Sequence, residues 1–92
     1  MLKIDFSREF NKDFKKIEKT GRFKPSLKDV LSPVLSDLIQ QKTLPEKYRD
    51  HLLKGDWHGF RECHAAPDLL LVYRVFNEKI KLVRLTSHAE LF

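Results

Sequence analysis

The sequence predicts an α+β domain in which two N-terminal helices pack on a mostly antiparallel sheet, in the order β-α-α-β-β-β. Three observations lead to this prediction. A short alternating segment opens the chain, two stretches with apolar residues at helical spacing follow, and the second half is typical of three strands. The 92 residues, 41% hydrophobic and 34% charged, suit a single domain over residues 1–92 with one modest core.

The first strand is predicted in LKIDF, where apolar Leu2, Ile4 and Phe6 alternate with polar Lys3 and Asp5. This alternation has the period of a half-buried strand.

The first helix is predicted to begin after Ser7, a residue type that caps helix N-termini, and to end near Gly21. The apolar stripe of this helix follows from four residues at spacings of four, four and three: Phe6, Phe10, Phe14 and Ile17.

The second helix is predicted to start at Ser26, which with Asp29 resembles a capping box. Its stripe consists of Leu27, Val30, Leu31, Val34, Leu35, Leu38 and Ile39. Pro33 falls opposite this stripe, which favours one helix bent around the core; a break into two short helices is the alternative.

After the polar connection TLPEKYRDH, the segments DWHGFRECH, DLLLVYRVF and KIKLVRL are predicted to form three strands. The central one is apolar on both faces, as expected for a strand covered on both sides. The segment FNEK is predicted to form the hairpin turn between the last two strands.

The net charge of +5 lies in the first half of the chain. Residues 1–49 hold 12 Lys and Arg against 7 Asp and Glu, whereas residues 50–92 hold 6 against 6. A polyanion would be attracted to the first half, and nucleic acid is the leading specific partner; Lys-rich helices that simply favour solubility are the plainer interpretation.

The protein is predicted to be cytoplasmic. The sequence contains no apolar segment long enough to span a membrane and no recognisable signal peptide, and its single cysteine cannot form an internal disulfide.

Polar residues with acid–base chemistry lie beside the predicted central strand in RECHAAPDLLLVY. His64 ends one strand, Asp68 precedes the next, His51 follows the polar connection and His88 follows the last strand. Imidazoles exchange protons near neutral pH, so these groups would form a proton-transfer site if they met at one end of the sheet. Each of them taken alone also fits an ordinary surface position, and Asp68 after Pro67 also fits a turn.

Other kinds of site have little support in the sequence. Cys63 and His64 are adjacent and would point to opposite faces of a strand, and no CxxC or HxxxH spacing is present. There is no phosphate-binding Gly loop, so neither a metal nor a cofactor is predicted. Trp57, Phe60 and Tyr73 are expected to pack rather than to stack on bases.

The order of residues over 50–92 resembles the YafQ branch of the RelE-like ribonuclease toxins of bacterial toxin–antitoxin systems. The resemblance covers nearly the whole chain and is most specific in DHLLKGDWHGFRECHAAPDLLLVYRV and in RLTSHAELF at the C-terminus. The chain departs from the family pattern at Leu69, where some relatives have Trp, and at His58. The Leu69 difference puts in doubt a base-stacking role at that position.

The resemblance implies a toxin that cuts messenger RNA in the decoding site of the ribosome and is held inactive by a cognate antitoxin. It also implies an active site of His51, His64, Asp68 and His88, with Phe92 close by. Arg61 and Arg84 become candidates for contacting the scissile phosphate.

Metal-free RNA cleavage fits these residue types. A base, Asp68 or His64, removes the 2′-OH proton, an arginine stabilises the charge that develops, and His88 protonates the leaving 5′-oxygen. His51 orients a neighbouring group or contacts the phosphate. Two alternatives stay open, a gyrase-inhibiting toxin of the ParE kind and a non-catalytic RNA- or ribosome-binding module.

Overall fold

A computed structural model describes residues 1–87 as one five-stranded sheet with two helices packed against it. The strands and helices, in chain order, are β1 (Lys3–Phe6), α1 (Arg8–Glu18), α2 (Leu27–Ile39), β2 (His51–Leu52), β3 (Arg61–Ala66), β4 (Leu69–Phe76) and β5 (Lys79–Ser87). The strand order is β1-β5-β4-β3-β2; β1 runs parallel to β5, and the other three ladders are antiparallel. The predicted α+β class is confirmed. Within residues 1–87, no helix has the length and apolarity needed to cross a membrane.

Both helices begin where the sequence predicts. The Ser7 hydroxyl accepts a hydrogen bond from the backbone N–H of Phe10 at 2.9 Å, and the Ser26 hydroxyl accepts one from Asp29 at 3.1 Å. These bonds satisfy N–H groups that have no partner within a helix. The second helix continues through Pro33, whose side chain is exposed, so one helix forms rather than two.

The core lies between the helices and one face of the sheet. Apolar residues of α1 and α2 pack there against alternate residues of the strands: Phe10, Ile17, Leu27, Leu31, Val34, Leu38, Cys63, Ala65, Leu69, Leu71, Tyr73, Ile80, Leu82 and Leu85. The β4 residues from Leu69 to Tyr73 are all buried, including those that point away from the helices. This confirms the expectation that the central strand is covered on both faces.

The chain before β3 differs from the prediction. DWHGFRECH was expected to be one strand, but β3 begins only at Arg61, and Gly55–Trp57 forms a short 3-10 helix. Gly55 and Gly59 have φ values of +69° and +92°, a backbone region that glycine tolerates and that interrupts a strand. The two-residue β2 was not predicted. The FNEK turn is confirmed, with φ of 49° at Asn77 and 60° at Glu78, as in a type I′ hairpin.

Candidate active site

A row of side chains crosses the sheet on the face opposite the helices. His51 on β2 pairs with Glu62 on β3, Glu62 pairs with Val72 on β4, and Val72 pairs with Arg84 on β5. Alternate residues of a strand point to opposite faces, and the neighbours Cys63, Leu71 and Leu85 all point into the core. The sheet therefore brings an imidazole, a carboxylate and a guanidinium onto one surface, which we call the outer face.

His51 is held at one ring nitrogen and faces a carboxylate with the other. Its Nδ1 lies 2.8 Å from the backbone carbonyl oxygen of Arg49, and its Nε2 lies 3.6 Å from Oε1 of Glu62. Because a carbonyl oxygen only accepts, the Nδ1 atom carries a hydrogen in this arrangement. Protonation of Nε2 would then create an ion pair with Glu62. The ring is 50% exposed, so it is fixed in orientation and still accessible to a substrate.

His64 lies two residues beyond Glu62 on the same strand and therefore on the same face. It pairs with Leu70, and an irregularity in the β3–β4 ladder follows directly, between His64 and Ala66. The half-buried ring lines an open cavity of about 580 Å³ together with Lys47 and Arg49. An imidazole thus borders a cavity with two cationic side chains.

Asp68 lies in the two-residue turn between β3 and β4. Its carboxylate forms an ion pair with Arg22, which comes from the connection between α1 and α2. The sequence suggested that Asp68 could join the histidines; in this structure its described contact is with Arg22. Both side chains are well exposed, at 47% for Arg22 and 40% for Asp68.

Arg61 lies on the other side of the sheet from the histidines. It is two residues before buried Cys63 and pairs with buried Tyr73, so its side chain shares the helix-facing side. Its Nη2 lies 2.9 Å from Oδ2 of Asp50 and its Nε 3.2 Å from the same oxygen. This placement does not support the expected role of Arg61 in contacting the scissile phosphate.

Tyr73 completes the Asp50–Arg61 contact from the core side. Its hydroxyl donates to Oδ1 of Asp50. Burial, and then this hydrogen bond, raise the pKa of Tyr73, while the hydrogen bond with Asp50 raises the pKa of Arg61. The three residues therefore form a fixed polar network under the edge of the sheet, with the tyrosine protonated and the arginine charged.

Arg84, unlike Arg61, lies on the outer face of the sheet. Its guanidinium group forms two hydrogen bonds with Asp13 of α1. Paired donors of this kind fix the plane of the guanidinium group. Of the two candidate phosphate contacts, Arg84 is the one that the sheet brings to the side of His51 and His64.

Two further predicted site residues, His88 and Phe92, lie outside the described residues. Within residues 1–87 no group of three or more His, Cys, Asp or Glu side chains is arranged to hold a metal ion. Cys63 is fully buried, and burial raises the pKa of its thiol to about 12. A nucleophilic role needs the thiolate, so the geometry disfavours Cys63 in catalysis.

The sequence did not lead to three residues that belong to the candidate site or support it: Glu62, Asp13 and Asp50. Glu62 had a readable signal, because it is two residues before His64 on a predicted strand and so shares its face. Asp13 and Asp50 had none, since each contacts a partner that is distant in the chain.

Comparison with known proteins identifies the family. A family model described as the bacterial toxin of a type II toxin–antitoxin system, YafQ, matches residues 2–92. The mRNA interferase toxin YafQ of Escherichia coli (strain K12) is 32% identical over 89 residues, which cover 97% of this chain and 94% of that protein.

Solved structures agree with this result. A metal-bound toxin from Helicobacter pylori is 45% identical with a TM-score of 0.86, and all of both chains is covered. The toxin in the E. coli DinJ–YafQ toxin–antitoxin complex is 31% identical with a TM-score of 0.83, covering 100% of this chain and 99% of that one. The chain therefore belongs to the YafQ family of bacterial toxins of type II toxin–antitoxin systems.

Proposed function

We propose that this protein is an mRNA interferase that cleaves translated messenger RNA in the decoding site of the ribosome, in the cytoplasm. The observation that carries the proposal is the arrangement of the outer face, where His51, Glu62 and Arg84 share one row across four strands and His64 lies beside it. A proton acceptor and a fixed cation on one rigid surface are what RNA cleavage by internal attack needs. The relative from E. coli named an mRNA interferase supports the same activity.

In the proposed reaction His64 removes the proton from a ribose 2′-OH. The 2′-oxygen attacks the adjacent phosphorus, the bond from phosphorus to the 5′-oxygen breaks, and the products are a 2′,3′-cyclic phosphate and a 5′-hydroxyl. Arg84 stabilises the negative charge that develops on the phosphoryl oxygens. His88 gives its proton to the leaving 5′-oxygen, which balances the proton that His64 takes.

We assign the base to His64 rather than to Asp68 because of their surroundings. His64 lines an open cavity of about 580 Å³, whereas the Asp68 carboxylate is paired with Arg22. His51, fixed by the Arg49 carbonyl and facing Glu62, serves as a phosphate contact or orienting group.

The proposed partners are messenger RNA, the ribosome and a cognate antitoxin. The E. coli relative is solved in a complex with DinJ, which supports an antitoxin for this chain as well. The excess of Lys and Arg in residues 1–49 suits contact with ribosomal RNA, and it predicts cleavage that weakens as salt rises.

Primer extension on a translated message, with and without ribosomes, tests the proposal. Wild-type protein should give cuts that require ribosomes, and His64→Gln and His88→Gln should each lower the rate by roughly 100- to 10,000-fold. His58→Gln is the matched control, because His58 is exposed at the end of a 3-10 helix and outside the row.

The same assay decides the remaining alternatives. A large loss with Asp68→Asn and little loss with His64→Gln would transfer the role of base to Asp68. An intact message during growth arrest would overturn the ribonuclease proposal and favour a gyrase inhibitor. Translation arrest that survives both histidine changes would favour a non-catalytic ribosome-binding protein.

A further inference from the structure

A second groove lies on the outer face, at the end away from His64. Its volume is about 370 Å³, and its lining includes Trp57, Phe60, Arg74 and Phe76. The sequence predicts that Trp57 and Phe60 pack rather than stack on bases; the two rings do contact each other, but Trp57 is 43% exposed. None of these four residues takes part in the proton transfers proposed above.

Three aromatic rings and one arginine contact one another along the groove. Arg74 has its Cζ 4.7 Å from the centre of the Phe76 ring and 5.4 Å from that of Phe60. Trp57 meets Phe60 edge to face, with ring centres 5.4 Å apart and an interplanar angle of 82°. In the described part of the chain no carboxylate forms an ion pair with Arg74. The rings therefore orient the guanidinium group of Arg74, and within residues 1–87 no acidic side chain neutralises its charge.

The loop that carries Trp57 is closed by its own backbone. Phe60 N–H donates to the Trp57 carbonyl at 3.0 Å, His58 N–H donates to the Gly55 carbonyl at 3.0 Å, and Leu53 N–H donates to the Phe60 carbonyl at 2.9 Å. Gly59, with φ of +92°, permits the tight return into β3. The backbone that carries Trp57 is therefore held in place, and the indole ring contacts Phe60.

The charge of the groove suits an anionic chain. Among its described lining residues Arg74, Lys81 and Arg84 are cationic and Glu9 is acidic. Arg74 pairs with Lys81 across β4 and β5, so the two cations are neighbours. Arg84 also belongs to the row that contains His51 and Glu62, which makes the groove continuous with the candidate active site.

We propose that this groove binds the substrate RNA next to the scissile phosphate, with Trp57 stacked on a base and with Arg74 and Lys81 contacting the backbone phosphates. The inference rests on the proposed ribonuclease function and extends it to a binding subsite. Aromatic faces between cations are the means by which proteins bind single-stranded nucleic acid, since every base offers a ring face. Trp57 and Arg84 line the same groove, so RNA bound there would pass both side chains.

The experiment uses the fact that Trp57 is the only tryptophan in the chain. Fluorescence excited selectively at tryptophan therefore reports on this groove alone. A short single-stranded oligoribonucleotide is titrated into the full-length protein with His64→Gln, which is expected to slow cleavage, and binding is measured independently by the anisotropy of a labelled RNA. We expect quenching of the Trp57 emission that follows the same binding curve as the anisotropy.

Kinetics on translated message provide the second readout. Loss of one stacked base corresponds to roughly a 5- to 150-fold effect, so Trp57→Ala should raise KM by that factor with a smaller change in kcat. Trp57→Phe keeps a ring and should recover most of the loss. Leu52→Ala is the matched control, because Leu52 is an apolar side chain on β2 that is 60% exposed and outside the groove. Urea denaturation of each variant establishes that it is folded.

The outcomes separate this inference from the function on which it rests. Unchanged kinetics of Trp57→Ala, or RNA binding without quenching, would overturn the subsite while cleavage by the wild type leaves the ribonuclease proposal standing. Normal cleavage by Trp57→Ala together with weakened neutralisation by the antitoxin would assign the groove to a protein partner instead. A wild-type protein that cuts no message would overturn both proposals.

Discussion

Asp13 of α1 holds Arg84 of β5 through two hydrogen bonds, 2.7 Å from Nε to Oδ2 and 3.2 Å from Nη2 to Oδ1. The same Oδ2 accepts a bond from the backbone N–H of Leu85 at 3.0 Å. One carboxylate on a helix thus orients both the arginine of the outer face and the strand that carries it. The arginine that we propose as the phosphate contact is therefore positioned by a residue of the helix.

The first prediction concerns this contact. Asp13→Asn keeps the shape of the side chain and removes its charge, so it should lower the free energy of unfolding by about 1–3 kcal/mol. It should also reduce kcat by up to about 100-fold, because Arg84 would no longer be held against the phosphate. The measurements are urea denaturation and primer-extension kinetics.

Asp37→Asn provides the control, since it makes the same charge change on α2 at a residue that has no part in the described ion pairs. Loss of stability at Asp13 without any loss of kcat would contradict the positioning role.

The second prediction separates the two arginines. Asp50→Asn and Arg61→Gln should each destabilise the fold by about 1–3 kcal/mol, and the double variant should lose less than their combined effect because both break one contact. Arg61→Gln should retain cleavage within about tenfold, whereas Arg84→Ala should lose roughly 100- to 1,000-fold. A 100-fold loss of cleavage by a fully stable Arg61→Gln protein would return Arg61 to the phosphate site.

The third prediction is a pH dependence of stability that arises from Cys63. Burial raises the pKa of its thiol from an ordinary 9.0 to about 12, so the folded protein keeps a proton that the unfolded chain releases. The contribution is fully present below pH 9.0 and is lost as the pH rises toward 12, by about 1.4 kcal/mol per pH unit. Tyr73, whose pKa is also raised, adds to this loss above its ordinary value of 10.0.

Urea denaturation in a reducing buffer between pH 9.0 and 10.0 isolates the cysteine from the tyrosine. Cys63→Ala should have a shallower slope over this interval, while groups common to both proteins cancel in the comparison. Equal slopes in the two proteins would show that the thiol titrates normally.

The fourth prediction concerns metal ions. Within residues 1–87 the His51–Glu62 pair offers two ligand side chains, which is fewer than a catalytic zinc ion needs from a protein. The proposed proton transfers by His64 and His88 use no metal ion, so a chelator selective for transition metals over magnesium, which leaves ribosomes intact, should leave cleavage within about twofold of the untreated rate. Lost activity that returns with zinc or copper would contradict this and would relate the protein to the metal-bound toxin from H. pylori.

The local features of the fold were predictable because their causes are local. Ser7 and Ser26 cap helices through residues three positions away, and Asn77 and Glu78 form a turn from their own backbone preferences. The boundary of β3 was missed, since the conformations of Gly55 and Gly59 depend on a loop that the strand pattern did not reveal.

The candidate site was predictable only in part. The resemblance correctly identified the family, and alternation along β3 is enough to put Glu62 and His64 on one face. Alternation also sets Arg61 opposite His64, a consequence that the phosphate assignment overlooked. The contact of Asp68 with Arg22 joins residues 46 positions apart, which no local pattern encodes.

By itself the sequence determined the family, the helices and most of the strands, because periodicity, caps and turns act over a few residues. Only the tertiary structure decided that Arg84 lies in one row with His51 and Glu62 and is held there by Asp13. Arg84 meets Asp13 across 71 positions of the chain and Tyr73 meets Asp50 across 23, so these choices depend on strand register and on how α1 lies against β5. Contacts between residues so far apart in the chain form only when the whole sheet assembles. These contacts place Arg84 on the outer face and Arg61 in the network with Asp50 and Tyr73.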